Sequence, residues 1–209
     1  NGQVFSENEL KFIYNYCEKN KIVLIVDEIY HGIEYGQYSK SILNFGFNVF
    51  VINSFSKYFC MPGWRLGWAV VPDKLQSNFL KLSQNIFISS GNISQYSALK
   101  AFDCIDYFDK IVDEYRENKI QILKELKNVK NLKFKEPQGA FYFYLNIEKL
   151  GVNSIELSNK ILEQTGVVLT PGNDFDKKYG LDFVRLAFSG KKEKIVKGIK
   201  KLVKWFNDQ

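Results

Sequence analysis

The sequence predicts an α/β fold in which a mixed, mostly parallel sheet covered by helices is followed by a smaller α+β portion. Three observations lead there. First, the runs Ile22-Val23-Leu24-Ile25-Val26, Val49-Phe50-Val51-Ile52 and Trp68-Ala69-Val70-Val71 are continuously apolar, which suits strands buried on both faces. Second, helical or loop stretches separate these runs, as in a layered α/β architecture. Third, from about residue 105 the apolar residues change to a long helical stripe followed by short strands. The expected division is therefore residues 1–104 and 105–209, and 209 residues suffice for two parts with real cores.

The elements follow in chain order. Ser6 with Glu9 three residues later makes a capping-box pattern, and the helix it opens is predicted to reach about Asn20. The three strand runs end in Asp27-Glu28, Asn53-Ser54 and Pro72-Asp73. Residues Leu75 to Phe102 are helical in pattern, interrupted at Ser89-Ser90-Gly91. Phe108, Ile111, Val112, Tyr115, Ile122, Leu123 and Leu126 then share one face of a long helix predicted over Ile105 to Asn128. Strands at Leu132 to Phe134 and Ala140 to Leu145 flank the Pro137-Gln138-Gly139 turn. A helix at Ser154 to Gln164, strands around Val167-Leu169 and Phe183-Phe188, and a helix at Glu193 to Phe206 complete the chain.

The net charge of +6 raises the question of a nucleic-acid partner. Much of the lysine excess, from Lys191 to Lys204, forms the wet side of one amphipathic helix, so no such partner is expected. Three unevenly spaced cysteines and a single histidine, His31, form no cluster with metal-ligand spacing. That points to a reducing, cytoplasmic setting and no metal. No apolar run approaches membrane-spanning length and the N-terminus shows no signal-peptide pattern, so no membrane partner is expected.

In open α/β sheets, ligands bind outside the carboxyl ends of the strands. Those ends carry Asp27 with Tyr30, and Ser54 with Ser56 and Lys57; Arg65 follows in a Pro-Gly turn. Singly, each has an ordinary explanation: a loop or capping acid, an edge aromatic, a solvated lysine, a surface ion-pair arginine. Farther along, Val184, Leu186 and Phe188 alternate with Arg185, so that strand has one apolar face with the arginine on the other.

Taken together, Asp27-Glu28-Ile29-Tyr30, Ser54-Phe55-Ser56-Lys57 and Pro62-Gly63-Trp64-Arg65-Leu66-Gly67 resemble the signature of the class I/II aminotransferases, pyridoxal-phosphate enzymes of fold type I. The wording looks closest to the branch of prokaryotic aspartate and broad-specificity aminotransferases. The resemblance continues through Pro137 to Tyr142, Thr170-Pro171-Gly172 and Val184 to Phe188, and spans essentially the whole chain. It implies part of the cofactor-binding large domain over 1–104, a small α+β domain over 105–209, and pyridoxal 5'-phosphate as cofactor. Lys57 is then the catalytic lysine that joins the cofactor aldehyde and serves as acid and base. Asp27 faces the pyridine nitrogen, a pairing that would justify an acid at a buried strand end. Tyr30 hydrogen-bonds the phenolic oxygen, and Arg65, Ser54 and Ser56 hold the phosphate. Arg185 binds the substrate α-carboxylate in a bidentate fork.

The activity so implied is transfer of an amino group between an α-amino acid and a 2-oxo acid, by a homodimer when full length. A carbon–sulfur β-lyase and the effector domain of a transcription regulator share the same signature and stay open. In the family, a segment like Asn1-Gly2-Gln3-Val4-Phe5 immediately follows an Asn-Pro pair and an N-terminal half. The resemblance therefore implies the C-terminal half of the enzyme, with little or no activity expected of the fragment alone.

Overall fold

The computed structural model describes residues 1–36 and 38–208. The chain divides into two units, Val4–Val112 and Asn1–Gln3 with Asp113–Gln209. The division falls inside one long helix.

In the first unit, α1 (Glu7–Lys19) starts at the cap the sequence foretells: the Glu9 amide donates to Ser6 Oγ (3.3 Å) and the Ser6 amide to Glu9 Oε2 (2.7 Å). Two orphan donors of the first turn are satisfied reciprocally. Strands β1 (Ile25–Asp27), β2 (Phe50–Ser54) and β3 (Gly67–Val70) form a mixed sheet in that order, β1 parallel and β3 antiparallel to β2. The register sets Val26 opposite Val51 and Val51 opposite Val70, so these three share a face. They pack there with Leu10 of α1, Ile42 and Val49.

The expectation that the first strand run is buried on both faces is not met. The ladder begins at Ile25, and Ile22, Val23 and Ile25 are exposed, as is Ile52 on the same face as Ile25. A continuous apolar run says that both faces of a strand are apolar; it does not supply the second cover. Helices α2 (Gln76–Phe87) and α3 (Asn92–Ala101) follow, broken at the forecast interruption. None of α2's residues is buried. From α3, Ala98 and Ala101 join Phe55, Phe59, Met61 and Phe108 in a second cluster.

The long helix α4 (Ile105–Leu126) buries Phe108, Val112, Ile122 and Leu126 of the predicted stripe. It also buries Asn118, whose amide nitrogen donates to the carbonyls of Phe188 (3.0 Å) and Gly190 (2.8 Å). In the second unit, β4 (Lys133–Phe134), β5 (Tyr142–Asn146), β6 (Thr170–Pro171) and β7 (Phe183–Ala187) form an antiparallel sheet in the order β4-β5-β7-β6. Phe143, Leu145, Val184 and Leu186 turn to its core face, with α5 (Ser154–Thr165) and α6 (Lys192–Asn207) contributing Leu157, Ile161 and Leu202. Each such side chain contributes about 1.5–3 kcal/mol.

The strand expected around Val167-Leu169 forms one step later, at Thr170–Pro171. Gly166 closes α5 in the left-handed conformation, the Val167 amide is taken by Thr165 Oγ1 (3.1 Å), and Val168 is exposed. The ladder with β7 starts only once these amides are satisfied elsewhere. Among the described residues, no helix is long and apolar enough to cross a membrane, and no cluster of acids, histidine and cysteine could hold a metal.

Candidate active site

Sheet topology assembles the first group of residues. Because β1 and β2 are parallel, Asp27 and Ser54, the last residues of each, lie at the same sheet edge. Because β3 runs back, its first residue, Gly67, pairs with Ser54 there. All six candidates of the first unit, Asp27, Tyr30, Ser54, Ser56, Lys57 and Arg65, therefore fall at or just beyond one edge.

The Lys57 loop is tightly built. Phe55 and Phe59 are buried with their rings 4.9 Å apart, pinning the loop on either side of Lys57. The Cys60 amide donates to the Lys57 carbonyl (3.1 Å) and the Met61 amide to that of Phe55 (3.0 Å). Ser54 Oγ accepts from the Ser56 amide (3.0 Å) and lies 2.9 Å from Ser56 Oγ and 3.1 Å from the Leu66 carbonyl. Two hydroxyls are thus paired at the end of β2. A side chain at Gly67 would come within 2.6 Å of the Asn53 carbonyl, so only glycine lets β3 approach.

Lys57 Nζ stands 5.7 Å from the centroid of the Tyr30 ring. A second tie joins the same segments: Gly32, at φ +88°, lies under the Tyr58 ring, where a Cβ would come within 2.5 Å. The Tyr58 hydroxyl donates to Asp109 (2.6 Å). Its pKa is raised, first by burial and then by that hydrogen bond. Sequence reasoning missed Gly32 and Tyr58, whose pairing joins positions 26 apart with no motif to announce it.

The expectation of an acid at a buried strand end is corrected. Asp27 is exposed and accepts from the Ile29 amide (3.1 Å); the buried acid is Glu28, which accepts from Ser41 Oγ (3.0 Å) and the Ile42 amide (2.8 Å). Successive strand residues point to opposite sides. That alternation was the available signal that the two acids divide, Asp27 toward the open edge and Glu28 into the scaffold. Arg65 sits in the left-handed conformation (φ 51°, ψ 47°) after the Pro62–Trp64 turn, is exposed, and donates from Nη1 to the Pro62 carbonyl (3.0 Å).

Arg185 belongs to the second unit, on β7 opposite Tyr144 and Thr170. Its guanidinium carbon lies 4.3 Å from the centroid of the Tyr142 ring and 4.2 Å from that of Phe175. Its Nε is buried with no hydrogen-bond partner among the described residues. It takes part in none of the ion pairs found among them. A partly buried cation without a counter-ion is costly unless a ligand supplies one.

The fold is that of the aminotransferases. A solved aminotransferase from Mycobacterium tuberculosis superposes with a TM-score of 0.94 at 33% identity, covering 100% of this chain and 55% of that one. Aspartate aminotransferase from Thermotoga maritima gives 0.89 at 28% identity, over 99% and 53%. Among curated relatives, valine–pyruvate aminotransferase of Mycobacterium tuberculosis is 33% identical over 100% of this chain and 55% of its own. Aspartate aminotransferase of Sulfurisphaera tokodaii is 32% identical over 96% and 52%. The family model for aminotransferase class I and II matches residues 1–202. The chain belongs to the class I and II aminotransferase family, and it spans about half the length of the curated relatives it matches.

Proposed function

We propose that this chain carries the cofactor-anchoring and carboxylate-binding part of a pyridoxal 5'-phosphate-dependent aminotransferase, which moves an amino group between an α-amino acid and a 2-oxo acid. The observation that carries the reading is the convergence of Lys57, Asp27, Tyr30, Ser54, Ser56 and Arg65 on one sheet edge. These residues fit the cofactor. The exposed Asp27 carboxylate, engaged by one backbone amide, suits a protonated ring nitrogen. The paired hydroxyls of Ser54 and Ser56 and the Arg65 guanidinium suit a phosphate dianion.

When bound, the pyridine ring supplies the electron sink that lets the amino acid's α-proton leave. Lys57 anchors the cofactor aldehyde and takes and returns the proton at the substrate α-carbon. Asp27 keeps the ring nitrogen protonated by pairing with it. Tyr30 donates its hydroxyl hydrogen to the phenolic oxygen, and Ser54, Ser56 and Arg65 hold the phosphate. Arg185 receives the substrate α-carboxylate in its guanidinium fork, which orients the α-carbon. The relatives named above are aminotransferases, which favours amino-group transfer over carbon–sulfur elimination. No disulfide joins Cys17, Cys60 and Cys104, which fits a reducing, cytoplasmic setting. The exposed apolar residues of α2 and α3 fit association of the complete enzyme as a homodimer.

The test is chemical. After incubation of the complete protein with pyridoxal phosphate and reduction with borohydride, peptide mapping is expected to find the label on Lys57, and Lys57→Ala is expected to abolish it. A label on another lysine, or none, overturns the assignment. Amino donors are then screened by loss of the visible absorption of the loaded enzyme.

A further inference from the structure

Lys57 and Tyr30 have to keep a fixed spacing, because in pyridoxal phosphate the aldehyde carbon and the phenolic oxygen stand on neighbouring ring atoms. The sheet alone does not set that spacing. Each residue stands three positions beyond the end of its strand, Tyr30 after Asp27 and Lys57 after Ser54, where the ladder no longer fixes the backbone. What joins the two loops is a packing contact between close neighbours of these residues. Tyr58 follows Lys57 directly, and its ring lies over Gly32. A Cβ on Gly32 would come within 2.5 Å of the ring carbon Cδ2, 2.9 Å of Cε2 and 3.0 Å of Cγ, so the glycine backbone itself rests against the ring.

We propose that Tyr58, anchored by Asp109, is a positioning residue that sets the spacing of Tyr30 from Lys57 by bearing on Gly32. The inference rests on the reading of Lys57 as the cofactor's lysine and Tyr30 as the donor to its phenolic oxygen. Both sides of the contact are firmly held. On one side, the Tyr58 hydroxyl donates to Asp109 Oδ1 (2.6 Å), and the ring meets those of buried Phe59 and Phe108 at centroid distances of 5.1 and 5.8 Å. On the other, Gly32 sits in the left-handed region (φ +88°) within a closed turn. The His31 amide there donates to the Glu28 carbonyl (3.0 Å) and the Ile33 amide to the Tyr30 carbonyl (3.0 Å). The Gly32 amide donates to Glu34 Oε2 (3.1 Å); Glu34 also accepts from the Ser39 amide, and both it and Ile33 are buried. A buried carboxylate that accepts from backbone amides on either side of it in sequence holds the turn in one conformation. Close-packed groups of this kind transmit displacement, so a shift of the Tyr58 ring passes to Gly32 and through the turn to Tyr30, two residues away.

The test is the pH midpoint at which the visible absorption of the complete protein, loaded with pyridoxal phosphate, changes. A hydrogen bond to the phenolic oxygen stabilises its negative charge and weakens its hold on the proton of the Lys57 nitrogen, so losing that bond raises the midpoint. Tyr30→Phe is expected to raise it by about one unit, the scale of a hydrogen bond to a charged group. Tyr58→Leu should raise it by about half a unit or more, and Tyr58→Phe, which keeps the ring on Gly32, by a smaller measurable amount. In a Tyr30→Phe background, Tyr58→Leu should add nothing, because the ring acts through that hydroxyl. A merely structural role would lower the urea midpoint and leave the spectral one in place. If Tyr30→Phe moves the midpoint but Tyr58→Leu does not, or adds its full shift on top of Tyr30→Phe, the positioning role is overturned while that of Tyr30 stands. Should Tyr58→Leu fail to take up the cofactor, an unmoved midpoint in Tyr58→Phe overturns it. If Tyr30→Phe itself leaves the midpoint unmoved, both fall.

Discussion

Gly172 shows how much one missing methyl group decides. A Cβ there would lie 2.6 Å from the carbonyls of Gly180 and Phe183 and 2.7 Å from the Tyr144 hydroxyl. Two of the three obstacles are backbone, so the strain cannot be relieved by turning a side chain. Gly172→Ala is expected to destabilise the second unit by about 2–3 kcal/mol, an overpacking cost, seen as a lower urea midpoint; an unchanged midpoint would contradict the crowding. The same scale separates what sequence can reveal from what it hides. Lys57 and Arg185 could be singled out as candidates because the first ends a strand-and-serine motif and the second interrupts an apolar alternation. Glu28 was separable from Asp27 only by strand alternation, which sends adjacent residues to opposite sides. Asn118 was hidden because its acceptors lie 70 and 72 positions away.

Elements were legible where a local rule governs both ends. The start of α1 was one such case, since the capping box is written in four residues. Ser6→Ala removes the acceptor of the Glu9 amide and is expected to cost about 1 kcal/mol; a urea titration with unchanged slope and a shifted midpoint would show it, and Ser6→Asp should largely restore it. The α4 stripe succeeded for a similar reason, since periodicity of 3.6 over many turns leaves little choice. Elements were less legible where a remote partner decides. β6 forms at Thr170–Pro171 because that is where β7 offers its ladder, a fact of the partner's register. The apolar run at Ile22 to Val26 correctly announced a strand but left its extent and the cover of its second face unstated.

For the whole molecule, a mixed sheet followed by an α+β unit was readable from the order of the elements, while the antiparallel pairing of the second sheet was not. The distribution of apolar surface was not. Leu82 (58%), Ile86 (69%) and Ile88 (83%) of the α2 region, with Ile93 (75%) and Leu99 (64%) on and beside α3, are exposed. Large apolar side chains exposed in this number favour association. The purified chain is expected to sediment as a species larger than a monomer at micromolar concentration. Leu82→Lys combined with Ile86→Lys should shift it toward monomer without loss of helical signal; a wild-type chain that sediments as a monomer throughout would show that this surface does not self-associate.

The assignment of Asn1–Gln3 to the unit of residues 113–209 carries a consequence for biosynthesis. The Gly2 carbonyl accepts from the amides of Gln138 (2.7 Å) and Gly139 (3.0 Å), and a Cβ on Gly2 would press within 2.8 Å of Pro137. On the ribosome this tripeptide emerges first among these residues, while Gln138 and Gly139 come after about 135 intervening residues, a closure whose entropy is on the order of 4 kcal/mol. The Val4–Val112 unit can fold in the interval. The hydrogen bonds of the Gly2 carbonyl therefore close only after Gln138 and Gly139 have been made.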